Sequence, residues 1–194
     1  LNSLSDNELM LAVKAGQADK LGVLFERYSK ALFGFFYRMT SDKETSQDLV
    51  QNVFFRMLKY KHTFTADGKF ITWMYHLARN VSADHFKKNK RFSFSRSLDL
   101  WESRIAGDSN REDQLSKEQE LELLQQALEQ LSFEKREVLV LSRYQELKYQ
   151  EIAQILNCTE GNVKVKVHRA FNELREIFLK ISQERKYAPK FKSE

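Results

Sequence analysis

The chain has 194 residues, a net charge of +5 and a pI near 9.2, with one proline, six glycines and a single cysteine. That length holds one domain or two small ones, and scarce proline and glycine beside frequent Leu, Glu, Lys and Gln predict an all-α protein. The lone Cys158 excludes an internal disulfide framework and a multi-cysteine zinc site, and no apolar run approaches the ~20 residues that span a bilayer. The N-terminus lacks the basic segment and hydrophobic stretch of a signal peptide, so the chain is read as cytoplasmic, without membrane insertion.

In chain order, Ser5 followed three residues later by Glu8 forms a capping box, which opens a helix over 6–16. A second helix over 19–39 carries Leu21, Leu24, Phe25, Tyr28, Leu32, Phe35 and Phe36 as its inward stripe. Ser41 with Glu44 repeats the capping box and opens a third helix over 42–60, with Leu49, Val50, Val53, Phe54, Met57 and Leu58 apolar. The segment 61–68 reads as a loop ending in an Asp-Gly turn. A fourth helix over 69–88 turns Phe70, Trp73, Met74, Leu77 and Val81 inward. Thr72, His76, Arg79, Asn80, Ala83 and Lys87 lie off that stripe. Such a basic, amide-bearing face suits a nucleic-acid strand, because lysines hold phosphates while Asn can bond a base edge.

Charge is unevenly spread. Six basic residues against one acid occupy 79–96, whereas eight acids against three bases occupy 99–122. Periodicity lapses over 90–110, which reads as a flexible tether. It resumes in helices over 112–130, with Leu121, Leu124, Leu128 and Leu131 on one face, and 133–145, where Ser132 is a competent cap. The predicted boundaries are a helical domain over 1–90, a linker over 91–111, a second domain over 112–184 and a tail over 185–194 that frays after Ser182.

The second domain ends in a helix-turn-helix pattern. Leu147, Ile152, Ala153, Ile155 and Leu156 give its first helix an inward face. Asn157 tolerates the left-handed backbone of the reversal; Cys158 follows as a small buried hydrophobe and Thr159 caps the next helix. On that helix Val163, Val167, Ala170, Phe171, Leu174 and Phe178 share one stripe, leaving Lys164, Lys166 and Arg169 mostly off it. A second helix of this kind enters the major groove N-terminus first.

Three separated segments resemble the extracytoplasmic-function (ECF) group of the bacterial sigma-70 family of RNA polymerase sigma factors. Asp48–Phe54 is similar to the family's D-L-V-Q-E-x-F helix, and Phe70–Asp84 to W-L-x-x-I-A-R-N-x-x-x-D. Leu131–Arg175 carries L-x-x-x-x-R-E-V, the Glu151-Ile152-Ala153 triplet, G-x-V-K at Gly161–Lys164 and His168-Arg169-Ala170. Departures are Ser132 for a usual Pro, Glu146 and Lys148 for Gly and Ser, Asn52 for an acid, and Val165 at a usually polar position.

The resemblance implies two small helical domains, a four-helix sigma region 2 domain and a helix-turn-helix region 4 domain, joined by a flexible linker. It implies core RNA polymerase as partner, through the largest subunit's coiled coil and the flap, with Asp48, Gln51, Asn52 and Phe55 at the polymerase face. It places the −10 promoter element on Phe64, His76, Arg79, Asn80, Ala83, Lys87 and Lys88, a base being turned out into a pocket made largely by the 61–68 loop. Phe64, that loop's only aromatic, reads equally as a plug into the core. The −35 element falls to Thr159, Gly161, Asn162, Lys164, Val165, Lys166, His168 and Arg169. An anti-sigma protein is implied as regulator, and the linker would thread the polymerase's RNA exit channel.

Two other classes compete. A stand-alone helix-turn-helix regulator needs a dimerisation surface or effector domain, and residues 1–88 look like neither. Against an enzyme, the four histidines (His62, His76, His85, His168) show no metal-ligand spacing, and no phosphate-cradling glycine loop, nucleophile motif or carboxylate pair is present. No cofactor, metal or small-molecule substrate is expected.

Overall fold

A computed structural model describes residues 4–93 and 112–187, and the side chains of 4–89 and 119–185. Most of the expected linker (94–111) and the end of the tail (188–194) lie outside the described residues. The described residues form eight α-helices and no strand: α1 Asp6–Lys14, α2 Lys20–Thr40, α3 Lys43–Lys59, α4 Phe70–Ser93, α5 Glu112–Gln130, α6 Phe133–Leu139, α7 Tyr149–Leu156 and α8 Glu160–Tyr187. Helix α4 continues past the expected end at 88, and α8 past Ser182.

The expected box opens α1: Glu8 N–H donates to Ser5 Oγ at 3.3 Å and Ser5 N–H to Glu8 Oε2 at 2.7 Å. The second box does not form. Ser41 takes a left-handed backbone (φ 58) to end α2, and Asp42 caps α3 by accepting from Thr45 N–H at 2.7 Å. Helices α1 to α4 close over Leu24, Leu32, Phe35, Phe36, Val53, Met57 and Met74, all fully buried. Four residues expected in the core are not there: Phe25, Leu58, Leu121 and Phe171 are 42%, 40%, 65% and 46% exposed. Phe25 and Leu58 edge the α2–α3 surface, where Phe25 meets the buried Phe54 ring at 4.9 Å. Phe171 instead lies under the Arg143 guanidinium at 5.6 Å.

In the second half α6 runs into one wide turn, closed by Gln145 N–H to Val140 C=O at 3.1 Å. The Ser132 side chain makes no capping bond; Arg136 N–H bonds the Ser132 carbonyl instead. Helix α7 is entered through Glu146, whose φ of 52 is left-handed, a conformation that costs a side chain about 1–2 kcal/mol. Glu146→Gly is therefore expected to stabilise the protein by about 0.5–1 kcal/mol, the relief of strain exceeding the glycine's extra entropy. An unmoved urea midpoint would reject that strain.

Candidate nucleic-acid interface

Three polar surfaces carry the sequence-predicted site residues. On α3, Asp48, Gln51, Asn52 and Phe55 are all exposed along one side, with Phe55 65% open. Asn52 Oδ1 accepts from Arg56 Nε at 3.0 Å, and Arg56 reaches on to Asp84 of α4 at 2.8 Å. Asp84 of the W-L-x-x-I-A-R-N-x-x-x-D-like segment therefore ties α4 to α3. Phe25 and Leu58 extend the Phe55 surface with apolar area that periodicity had assigned to the core.

On α4, His76, Lys87 and Lys88 are exposed, and Arg79, Asn80 and Ala83 half-buried. Thr72, expected among them, has its hydroxyl buried. Phe64 departs from the −10 set: only 1% exposed, it packs between Phe70 and Trp73 with ring centroids at 6.4 and 5.3 Å, and cannot stack on a base. Its plug role is the one realised. Trp73 packs with it and donates from Nε1 to Thr63 Oγ1 at 3.1 Å. The backbone of the loop is held from α1, as Lys14 Nζ donates to Phe64 C=O at 2.6 Å. The exposed residues of the loop are His62 and Thr63 before Phe64, and Thr65, Ala66 and Asp67 after it.

The helix-turn-helix forms as its residues dictate. Asn157 is left-handed (φ 51), and Thr159 Oγ1 accepts from Asn162 N–H at 3.2 Å. Ile152, Ile155, Val163 and Ala170 are fully buried, while Cys158 is only partly so. Thr159, Gly161, Asn162, Lys164, Lys166, His168 and Arg169 are exposed, as is Val165 at 48%. A side chain at Gly161 would meet nothing nearer than Thr159 Oγ1 at 4.0 Å, so the start of α8 is open to close approach. Lys164 is held by Glu160 one turn back at 3.1 Å.

A fourth set of contacts, invisible to local patterning, joins the two halves. Arg79 Nε pairs with Glu137 Oε2 at 3.2 Å, Tyr75 donates to Gln145 Oε1 at 2.5 Å, and Lys69 pairs with Glu151 at 2.9 Å. Gln125 donates to Ser41 Oγ at 2.7 Å and Arg136 to Met39 C=O at 2.7 Å. Phe86 meets Phe133 edge-on at 5.0 Å. Glu137 is 2% exposed, and its second carboxylate oxygen has no partner among the described residues. Burial pushes its carboxyl above the ordinary range, and the charges of Arg79 and, more weakly, Lys166 only partly offset this. One member of the α4 basic face is thus engaged by a buried carboxylate of α6.

Residues 24–92 match the family described as Sigma-70 region 2, and residues 121–174 the family described as Sigma-70, region 4. The chain is 31% identical to the ECF RNA polymerase sigma factor BldN of Streptomyces coelicolor over 88% of its length, spanning 64% of that relative. It is 31% identical to the ECF RNA polymerase sigma factor SigX of Bacillus subtilis over 79% of its length and 81% of the relative. Its fold matches, with a TM-score of 0.63, 23% identity and coverage of 80% of this chain and 94% of that one, the sigma factor RpoE of Bartonella quintana, solved with the anti-sigma factor NepR. No described helix is long and apolar enough to cross a membrane.

Proposed function

The chain belongs to the sigma-70 family of RNA polymerase sigma factors, in its ECF group, and from that premise we propose that it binds core polymerase and directs initiation at promoters with −10 and −35 elements. One observation carries this reading: a single chain holds, in order, a region 2 and a region 4 match, each presenting an exposed polar helix face. In this reading the chain is a cytoplasmic initiation factor without catalytic activity of its own, controlled by an anti-sigma protein.

Asp48, Gln51, Asn52 and Phe55 dock on the largest subunit's coiled coil, with Phe25 and Leu58 widening the apolar contact. Exposed aromatic anchors beside polar groups are the composition that such contacts favour. His76, Arg79, Asn80, Ala83, Lys87 and Lys88 follow the −10 non-template strand. The loop before α4 receives the extruded base without Phe64. Extrusion costs a few kcal/mol, which α4 offsets through phosphate and base-edge bonds.

At the −35 element the open start of α8 faces a phosphate through backbone N–H groups around Gly161. Lys164 and Lys166 meet guanine edges or phosphates, and Arg169 a phosphate. Val165 is apolar on a polar face and contacts a thymine methyl. Val165→Ser is then expected to change preference at one base pair by about fivefold while the salt dependence stays unchanged. Binding to singly substituted −35 duplexes measures this, and an unaltered preference rejects it.

The test of the whole reading is transcription by core polymerase, with and without this chain, on a randomised promoter library. The expected result is a chain-dependent set of RNAs whose templates share two elements. No complex with core polymerase and no chain-dependent RNA would overturn it.

A further inference from the structure

Counting back from α4, the nearest residue with a capping side chain is Asp67, and among the described residues it makes no bond to the helix start. Gly68 has no side chain and Lys69 carries no acceptor, so α4 has no cap of its own at the two positions before it. The bond comes instead from α1. Asn7 Oδ1 accepts from Phe70 N–H, the first of α4, at 2.9 Å across 63 positions of sequence. The other end of the same amide turns to the loop, where Nδ2 donates to Gly68 C=O at 2.7 Å and lies 3.5 Å from Ala66 C=O. Its orientation follows from its neighbours, since a carbonyl needs the NH2 end and an N–H needs the oxygen.

One half-buried side chain therefore fixes, at once, where the loop backbone sits and where the helix begins. A second tie points the same way, from Lys14 of α1 to the Phe64 carbonyl at 2.6 Å. Phe64 anchors the other end of the loop in the core. Between these anchors only Thr65, Ala66 and Asp67 face outward. A three-residue tip held at both ends has little freedom, and its shape is set from below by α1.

We propose that Asn7, which lies before the region 2 match at 24–92, is a positioning residue for −10 recognition: its amide holds the tip at 65–67 in register with α4, so that the extruded base meets loop and helix together. The inference rests on the reading of the loop and α4 as the −10 site. Asn7 touches no DNA in this scheme; it acts through the Gly68 carbonyl and the Phe70 N–H.

The test uses the full chain in complex with core polymerase, on a promoter drawn from the library selection. The probe is 2-aminopurine at the extruded −10 position, read beside the rate ratio for correct over incorrect bases there. Asn7→Ala removes both arms of the amide. Asn7→Asp keeps an acceptor for Phe70 N–H, and Asp caps helices as well as Asn, but it has no donor for Gly68. Both variants are expected to lose about tenfold in base discrimination and most of the 2-aminopurine signal, as misplacement of a fixed group by a fraction of an ångström does. Polymerase affinity and −35 duplex binding stay at the parent value in both variants. The proposal is overturned if both variants discriminate normally. It is overturned equally if Asn7→Asp alone does, because the loop arm would then be idle, or if loss of discrimination comes only with loss of polymerase or −35 binding. Lys87→Ala with Lys88→Ala checks the reading beneath: if this pair leaves −10 strand binding intact, the assignment of α4 fails, whatever Asn7 does.

Discussion

Arg136→Ala is expected to lower the free energy of unfolding by about 3 kcal/mol, the range for stripping a charged donor from buried acceptors. Arg136 is 9% exposed and forms no ion pair with a carboxylate among the described residues. Its Nη1 donates to Met39 C=O at 2.7 Å and its Nη2 to Glu129 C=O at 2.5 Å, with Leu131 C=O at 3.4 Å. Met39 lies in the last turn of α2 and Glu129 in the last turn of α5, so the cation sits where two helix C-termini converge. Each end carries partial negative charge and carbonyls that its own helix leaves unpaired. Burial still pulls the Arg136 pKa below its ordinary value, with only the Glu129 charge opposing, so the group is bound at a solvation cost and held by geometry. Alanine would leave both helix ends unsatisfied. Arg136→Lys keeps the charge but can reach one end only, and should lose about half as much. Urea unfolding of the three proteins measures both differences; a loss below ~1 kcal/mol for alanine would show that solvent replaces the guanidinium freely.

How much of this was readable in advance depends on whether the determinant is local. The capping box at Ser5, the left-handed turn at Asn157 and the Thr159 cap involve residues within four positions of each other, and all three form. The same local logic failed at Ser41, because Ser41 and Asp42 are both competent caps and only one can follow a helix that ends in a left-handed residue. Stripes failed at their edges. Phe25, Leu58, Leu121 and Phe171 fit the 3.6-residue period, yet period gives a direction and not the width of the neighbour that covers it. Arg136 and Glu137 stood inside a motif without a structural role, since what they meet lies on α2 and α4. Asn7 is the extreme case, a polar residue on a first helix whose partners are more than 60 positions away. No pattern along the chain marks it. The faces proposed for the −10 and −35 elements were legible as chemistry, being basic residues off an apolar stripe; their neighbours across the molecule were not.

Arg79 and Glu137 should prove to be coupled in a double-mutant cycle by about 1–2 kcal/mol. Removing Arg79 leaves Glu137 buried without its nearest cation, for which loss of one partner of a buried pair costs about 3–5 kcal/mol. Arg79 is itself 34% exposed, so solvent already shares the charge and about 2 kcal/mol is the expected cost of Arg79→Ala. Glu137→Gln keeps the shape and loses the buried charge, and in that background Arg79→Ala should cost little. The pH dependence fixes the sign. The folded carboxyl binds its proton more tightly than the unfolded one, because burial raises its pKa. Ionised Glu137 therefore costs stability at neutral pH, a cost that fades as pH falls through the folded value and is gone below the unfolded one. With Arg79 gone that raised value climbs further, so the penalty of Arg79→Ala should shrink between pH 7 and about pH 5. A penalty constant across that window, or equal in the Glu137→Gln background, would show that the pair is only a surface contact. The same guanidinium is proposed for the −10 strand, and there the Glu137 carboxylate, bonded to Nε, competes with a phosphate for its charge and orientation. Glu137→Gln is thus expected to strengthen −10 strand binding and Arg79→Ala to weaken it. Opposite signs from two changes to one ion pair are what separates competition for Arg79 from general loosening of the fold, which would move both variants the same way.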